Sequence, residues 1–216
     1  MTLKIREPGS AITHFIAMLL ALFSAAPLLV RSALRSDATS LAAMSVFICS
    51  MILLYGASTL YHSVNVSGRL LCAFKKLDHM MIFILIAGTY TPVCLITLKG
   101  TVGFFLLAAV WGIALTGILI KAFWIYCPKW FSSILYISMG WICLSVIGKL
   151  WSLLPLPAFL WLLSGGVIYT IGGIIYALKL PFFNARHKFF GSHEIFHLFV
   201  MAGSLCHFIF MFVYLA

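Results

Sequence analysis

Histidine, serine and aspartate side chains recur where long apolar segments of this sequence begin or end. Ser58 and His62 are four residues apart, and so are His193 and His197. Residues i and i+4 share one face of an α-helix, so each pair points its two polar groups in one direction. Asp78 stands at the start of another apolar segment. Two histidines at this spacing, joined by a third imidazole, can bind zinc and leave one coordination position for water.

The composition is that of a membrane protein. Of the 216 residues, 64% are hydrophobic and 8% are charged, whereas soluble domains have about 45–50% apolar and about 25% charged residues. These values exclude a soluble globular fold and a disordered chain. The net charge of +10 comes from 14 basic residues against 4 acids. Because the bases are scattered between apolar runs, they form no stripe for a phosphate backbone, and no nucleic-acid partner is predicted.

Seven stretches free of Lys, Arg, Asp and Glu are long enough to cross a membrane, which takes about 20 apolar residues. The first is followed by six others and lacks a small-residue cleavage site, so it is predicted to be a retained helix rather than a signal peptide. The sequence therefore predicts an all-α fold, a seven-transmembrane helix bundle that forms one domain over residues 1–216. The stretches are 8–30, 38–68, 79–98, 100–120, 130–148, 150–178 and 195–216.

Helix limits follow from polar and turn residues near the ends of these stretches. Residues 63–76 are predicted to form a polar loop, so that the third helix starts near Leu77. Pro92 should kink that helix, Pro155 and Pro157 should open the sixth helix, and Ser192 is a plausible N-cap of the seventh. The other predicted helices are 10–30, 41–62, 101–121 and 132–150.

The distribution of basic residues predicts the orientation. Ten of the 14 fall on the side of the N-terminus, and loops rich in Lys and Arg stay in the cytoplasm. The N-terminus is therefore predicted to be cytoplasmic and the C-terminus external, in the cytoplasmic (inner) membrane. The ten are Lys4, Arg6, Arg69, Lys75, Lys76, Lys121, Lys129, Lys179, Arg186 and Lys188; Arg31, Arg35, Lys99 and Lys149 lie opposite.

The same topology brings the polar pairs to one depth on the cytoplasmic side. An ionisable group at membrane depth costs about 2.5–3.5 kcal/mol on insertion scales, so such groups are candidates for function. We therefore predict a metal site with His62, His193 and His197 as ligands. His207 lies 14 residues beyond His193, about 21 Å along a helix, and cannot reach the same ion. His14, His79 and His187 are likewise not assigned to the site.

Residues 193–197 also spell HExxH, the zinc-protease pattern in which the glutamate is the general base. Such a protease usually takes its third ligand from an acidic residue on a later helix, and no Asp or Glu follows His197. Glu194 also falls in the first helical turn, where the helix dipole alone favours a carboxylate. The protease interpretation remains a minor alternative.

Several stretches together resemble the hemolysin III family, within the progestin and adipoQ receptor group, which is related to the alkaline ceramidases. They are STLYH at 58–62, LDH at 77–79, IAGTYTP at 86–92 and residues 193–207, with Glu7, Thr13 and His14 fitting the start of the family's pattern. The resemblance covers nearly the whole chain. It implies Zn²⁺ held by three histidines, with Asp78 holding or activating the metal-bound water and Ser58 forming a hydrogen bond near the site.

Three functions fit these residues. The leading hypothesis is a zinc-dependent hydrolase of a lipid amide or ester, with Asp78 taking a proton and Ser58 stabilising the oxyanion. Its partners would be membrane lipids and a lipid or fatty-acyl ligand. The alternatives are a non-catalytic regulator of membrane lipid homeostasis or energetics, with a structural zinc, and a cytolysin, as the family name suggests. Compact apolar helices without amphipathic segments do not favour a pore.

The predicted topology can be tested with a reporter protein fused after Ala216. Seven spans and a cytoplasmic N-terminus place this residue outside, so a periplasmic phosphatase reporter should be active there. A reporter that is active only in the cytoplasm would contradict either the helix count or the orientation.

Overall fold

The computed structural model describes residues 5–35, 37–178 and 191–216. Their helices include seven that are long and apolar enough to cross a membrane, which confirms the all-α fold and a multi-pass integral membrane protein. The basic residues Lys4, Lys179, Arg186 and Lys188 used for the orientation, and His187, lie outside the described residues. The seven helices are α1 Pro8–Ala33, α2 Ala38–Ser63, α3 Gly68–Leu98, α4 Gly100–Phe123, α5 Lys129–Leu153, α6 Leu156–Leu178 and α7 Ser192–Leu215.

Helices α2 and α3 form the centre of the bundle. In the most apolar window of α3, 61% of the residues are buried inside the protein, against 17% for α5. The outer helices carry large apolar side chains on their outward faces, such as Phe23 and Phe104, which the protein leaves exposed. In a soluble protein such surfaces would be a liability, whereas in a bilayer they contact lipid.

The predicted start of α3 and the predicted loop 63–76 are wrong. α3 begins at Gly68, and only residues 64–67 lie outside helices. Arg69 and the two lysines that follow interrupt the apolar pattern, but a helix can extend beyond the hydrocarbon layer and keep such side chains near water. Lys75, for example, places its ammonium 4.6 Å from the ring centroid of Tyr126. Asp78 therefore lies ten residues, about 15 Å, inside α3 rather than at its first turn.

Irregular segments interrupt spanning helices α3, α5 and α7, the last as a π-helix at Met211–Leu215. α3 changes to a π-helix at Val93–Leu98, directly after Pro92, where the missing proline N–H disturbs the helical hydrogen bonds. α5 changes to a 3₁₀-helix at Trp141–Val146. The Tyr90 hydroxyl bridges this second segment, donating to the Gly140 carbonyl at 2.6 Å and accepting from the Cys143 amide at 3.0 Å.

Polar contacts fix which ends of the helices meet. Near the end of α1, Arg31 Nε donates to the carbonyl oxygen of Ala216 at 3.0 Å, and Arg35 donates to that of Leu215 at 2.7 Å. At the other end of the bundle, Ser10 of α1 donates to Glu194 of α7. Helices α1 and α7 are therefore parallel neighbours. The starts of α1, α3 and α7 and the end of α2 all lie at this second end, which we call the N-terminal end of the bundle.

The close approach of α4 to the π-helical segment of α3 gives a stability test. A Cβ at Gly103 would overlap the backbone carbonyl oxygen of Cys94, whereas a Cβ at Gly112 on the same helix would meet no atom within 4 Å. We expect Gly103→Ala to destabilise the protein by about 1–3 kcal/mol, because a backbone carbonyl cannot move aside cheaply. Gly112→Ala, the matched control, should be neutral or slightly stabilising. Equal melting temperatures for the two variants in one detergent would contradict this packing.

Candidate metal centre

Three histidines converge at the N-terminal end of the bundle. His62 lies in the last turn of α2, and His193 and His197 lie in the first two turns of α7. One ring nitrogen from each lies within 4.8 Å of the others, and His62 and His197 are buried. The Nε2 atoms of His62 and His193 are 3.3 Å apart, close to the separation of about 3.3–3.4 Å that two nitrogens have on a tetrahedral zinc with bonds of 2.0–2.1 Å. This cluster could hold a metal ion.

The Glu7 side chain orients the first of these rings. Its carboxylate accepts a hydrogen bond from His62 Nδ1, and Arg6 lies 3.5 Å from the same oxygen. The hydrogen bond to His62 lowers the pKa of Glu7 to about 2. A histidine that donates its Nδ1 proton to a carboxylate keeps Nε2 as the free lone pair, which is the arrangement common at metal-binding histidines.

Thr13 orients His197 in a similar way. The Thr13 hydroxyl lies 3.0 Å from the Ser10 carbonyl oxygen and 3.1 Å from that of Gly9, to which it donates. Because its single proton is used there, Thr13 Oγ1 accepts from His197 Nδ1 at 3.2 Å. His197 then also presents Nε2 with a free lone pair. Thr13 and Glu7 both come from the start of α1, which thus fixes two of the three rings.

His14 was not assigned to the site, yet the structure places it there. Its ring is 3% exposed and stacks on the ring of His197, with centroids 3.6 Å apart and planes inclined by 7°. The ring of Tyr55 is inclined by 67° to the same imidazole, with the two centroids 5.1 Å apart. His14 has no histidine partner at i+4, so spacing alone gave no signal for it. His14 lies on the second turn of α1. The predicted direction of α1 places that turn at the same end of the bundle as the other histidines, and this could have indicated His14.

Asp78 and Ser58 lie in the same region, on α3 and α2. They are 7% and 1% exposed, and both line a cavity that His193 and His197 also line. The Ser58 hydroxyl lies near Asp78 but has no hydrogen-bond partner among the described residues. The Asp78 carboxylate is 3.5 Å from His79 Nδ1. Asp78 is not part of the three-histidine group itself.

The cavity beside these residues is narrow, apolar and long. Its volume is about 180 Å³, and it is lined by successive turns of α3, α5 and α6. On α3 the lining runs from Asp78 to Val93, fifteen residues or about 22 Å along the helix axis. That distance exceeds the thickness of one leaflet of the hydrocarbon core, about 15 Å. We call this space the acyl cavity because of its shape and lining.

Glu194 is engaged in holding the start of α7. One carboxylate oxygen accepts from Ser10 Oγ at 2.6 Å, and the other accepts from the Gly191 amide at 2.8 Å. Gly191 is therefore the N-cap residue, one position before the predicted Ser192. A carboxylate in the first turn satisfies otherwise unpaired amides and complements the helix dipole. Both oxygens have structural partners, which disfavours a role for Glu194 as the base of an HExxH protease.

His207 lies apart from the three-histidine cluster. Its ring stacks on Tyr169 with centroids 5.4 Å apart, and it packs so closely on Gly165 that a Cβ there would lie 2.6 Å from His207 Nε2. The small residues of α6 thus serve close packing, with a histidine of α7 filling the space.

Comparisons with known proteins identify the family of this chain. The family model described as "Haemolysin-III related" matches residues 3–208. The chain is 39% identical to Hemolysin-3 of Bacillus cereus, over 92% of this chain and 86% of that protein. It is 38% identical to the Hemolysin-3 homolog of Bacillus subtilis, over 92% and 89%. A shorter match, 38% identical over 79 residues, links 35% of this chain to 24% of the ADIPOR-like receptor IZH2 of Saccharomyces cerevisiae. The chain belongs to the hemolysin III family.

Proposed function

We propose that this protein is a zinc-dependent hydrolase that cleaves an amide or ester bond of a membrane lipid. One observation carries the proposal: a three-histidine cluster lies where Asp78 and Ser58 line the end of a long apolar cavity. Metal ligands, an acid–base group and a space for an acyl chain then meet at one point. A purely structural metal would not need the last two.

The three histidines fit zinc. Imidazole nitrogen is a common zinc ligand, and three such ligands leave a fourth position open, as in catalytic sites. The hydrogen bonds to Glu7 and Thr13 direct Nε2 of two rings toward a common point. When bound, zinc would supply Lewis acidity, lowering the pKa of a water toward about 7 and polarising an acyl carbonyl.

The side chains of Asp78 and Ser58 would carry the proton and charge movements. Asp78 would accept the proton of the attacking water and pass it to the leaving nitrogen or oxygen. Ser58 has a buried hydroxyl with no partner among the described residues. That hydroxyl is available to donate to the carbonyl oxygen as negative charge develops on it, which stabilises the transition state. Asp78 is favoured over Glu194 because both Glu194 oxygens already hold the start of α7.

The acyl cavity defines the class of substrate. Its lining consists mainly of Ile, Leu, Val, Phe and Tyr side chains from helices within the membrane. Apolar area that is removed from water contributes a free energy of about 25 cal/mol per Å². A lipid that enters this cavity from the bilayer gains less than this, because its chain was not in water. A lipid chain lying along α3 would present its carbonyl near Asp78.

Metal analysis of variants tests the zinc site. Purified wild-type protein should contain about one zinc per chain, because the described residues form one three-imidazole site. His193→Ala combined with His197→Ala should abolish it. Glu7→Gln should retain the fold and lower zinc affinity about 10–100-fold, since it weakens the partner of a ligand and removes no ligand. His207→Gln is the control for loss of a buried histidine and should keep its zinc. Unchanged metal content in the double variant would refute the site.

Isosteric variants of the two carboxylates test the catalytic role. Asp78→Asn should lower hydrolysis of an N-acyl lipid or an acyl ester about 10²–10⁴-fold with zinc retained, because the amide cannot accept the proton. Glu194→Gln, the matched control, should stay active, since its amide oxygen can still accept the Gly191 hydrogen bond. Turnover is measured in liposomes alongside zinc content. An inactive, zinc-loaded Glu194→Gln with an active Asp78→Asn would favour the protease pattern. No turnover by zinc-loaded wild type on either class of lipid would contradict the proposed hydrolase.

A further inference from the structure

A second cavity of about 360 Å³, with both polar and apolar groups in its lining, lies beside His62 and His193 at the N-terminal end of the bundle. His79, Tyr176 and His193 line both this cavity and the acyl cavity, so the two spaces adjoin at the site. We call the second space the vestibule. Its acidic residues come from the starts of α1 and α7, and its basic residues, which we call its basic side, come from α3 and the start of α5. The lining includes Glu7, His62, Glu194, Lys75, Cys127, Lys129 and Ser132.

The two acidic residues of the vestibule are already engaged. Glu7 accepts from His62 and lies 3.5 Å from an Arg6 nitrogen. Glu194 accepts from Ser10 and from the Gly191 amide. A hydrogen bond does not remove the charge of a carboxylate, so both residues keep their negative charge. Arg6 balances one of them, whereas three lysines, Lys75, Lys121 and Lys129, lie in the lining or directly behind it, so positive charge is in excess around the vestibule.

On the basic side, two lysines are held by aromatic rings. The Lys75 ammonium lies 4.6 Å from the ring centroid of Tyr126, and the Lys129 ammonium lies 4.3 Å from that of Tyr176. A cation–π contact orients an ammonium group but leaves its positive charge in place. The two lysines come from α3 and from the start of α5, so they approach the vestibule from different helices.

A third ammonium group lies directly behind this wall. Lys121 was counted among the basic residues on the side of the N-terminus, and the structure buries it there, with 1% of the residue exposed. Its Nζ donates to Cys127 Sγ at 3.0 Å and to Ser132 Oγ at 2.5 Å, and both of those residues line the vestibule. A buried charge is costly unless an opposite charge compensates it. The partners found for Lys121 in the described part of the chain are a thiol, a hydroxyl and, at 5.9 Å, the ring of Tyr136. None of them carries an opposite charge, so an anion in the vestibule would supply that compensation.

The start of α5 adds positive potential at the same place. Pro128 precedes the helix and provides no side-chain cap, and the first turn contains no acidic residue. The first amides of a helix lack intrahelical acceptors and carry the positive end of the helix dipole, which attracts anions. Lys129 and Ser132, both in this first turn, line the vestibule. The helix end and the three lysines are independent features that favour the same kind of ligand.

We propose that the vestibule binds an anionic headgroup, a phosphate or a carboxylate, of the lipid whose acyl chain occupies the acyl cavity. The order of the spaces gives the order of groups in the ligand: acyl chain, carbonyl at the histidines, then a negatively charged head. The substrate would be an acidic acyl lipid rather than a neutral or zwitterionic one. This assignment rests on the proposed hydrolase function only for the step of cleavage; binding of the headgroup is independent of it.

Binding of dodecyl phosphate to the purified, zinc-loaded protein in a neutral detergent tests the headgroup site. We expect dodecyl phosphate to bind at least about tenfold more tightly than dodecyl phosphocholine, with an affinity that falls as salt is raised. Lys75→Gln combined with Lys129→Gln should weaken dodecyl phosphate binding at least about tenfold while zinc is retained. The matched control is Arg69→Gln combined with Lys76→Gln, which removes the same charge from positions outside the vestibule lining. It should bind as wild type does.

Each outcome has a distinct meaning. Equal affinity for dodecyl phosphate and dodecyl phosphocholine, or equal losses in the two double variants, would overturn the headgroup site. Inorganic phosphate that binds as tightly as dodecyl phosphate would overturn the lipid assignment and identify a free anion instead. A protein that binds dodecyl phosphate as expected but hydrolyses no lipid would keep the vestibule site and refute the hydrolase. Cleavage of neutral and acidic lipids with equal kcat/KM would keep the hydrolase and overturn the predicted preference.

Discussion

The contact between the start of α1 and the first turns of α7 is the constraint on which the rest of the site depends. An unpaired hydrogen-bonding group is costly inside a membrane protein, so a partner for a buried ring nitrogen stabilises one orientation of the ring. Glu7 and Thr13 provide acceptors for Nδ1 of His62 and His197, and Ser10 anchors Glu194 at the start of α7. These bonds hold the end of α2 and the start of α7 so that three imidazoles face one point. Without α1, two of the three rings would lose their orientation.

The four acidic residues of the chain divide into structural and chemical groups. Asp37 caps α2, accepting from the Thr39 amide at 3.0 Å, and Glu194 holds the start of α7. Glu7 orients a histidine. Asp78 alone lies deep inside a helix and lines the acyl cavity. Burial of a carboxylate is costly, and Asp78 is buried beside the histidine cluster. This supports a chemical rather than a structural role for Asp78.

The site has two dissimilar sides, and this asymmetry suits an amphiphilic ligand. The acyl cavity is built from the apolar faces of α3, α5 and α6, whereas the vestibule is built from helix ends and the segment before α5, where water and charge are tolerated. The histidines lie at the boundary. Lipids have the same division between chain and head, and the bonds that join the two parts are amides and esters. The chemistry proposed for the site therefore matches its position within the membrane.

Much of this arrangement was predictable, and the remainder had no signal in the spacing of residues. Apolar stretches and the pairs at i and i+4 indicated seven helices and the convergence of His62 with His193. The start of α3 was missed because basic residues end an apolar stretch without ending a helix. His14 was missed because a single histidine has no periodicity, and its stacking on His197 depends on how two distant helices pack. The burial of Lys121 likewise depends on the fold of the segment before α5, which hydropathy does not encode.

Zinc K-edge X-ray absorption of the purified wild-type protein tests the central claim, that three imidazoles from α2 and α7 hold one metal ion. The account predicts a first coordination shell of nitrogen and oxygen at about 2.0–2.1 Å, with the outer-shell scattering of about three imidazole rings. A shell that contains sulfur at about 2.3 Å would place the metal on cysteines instead and would contradict the account.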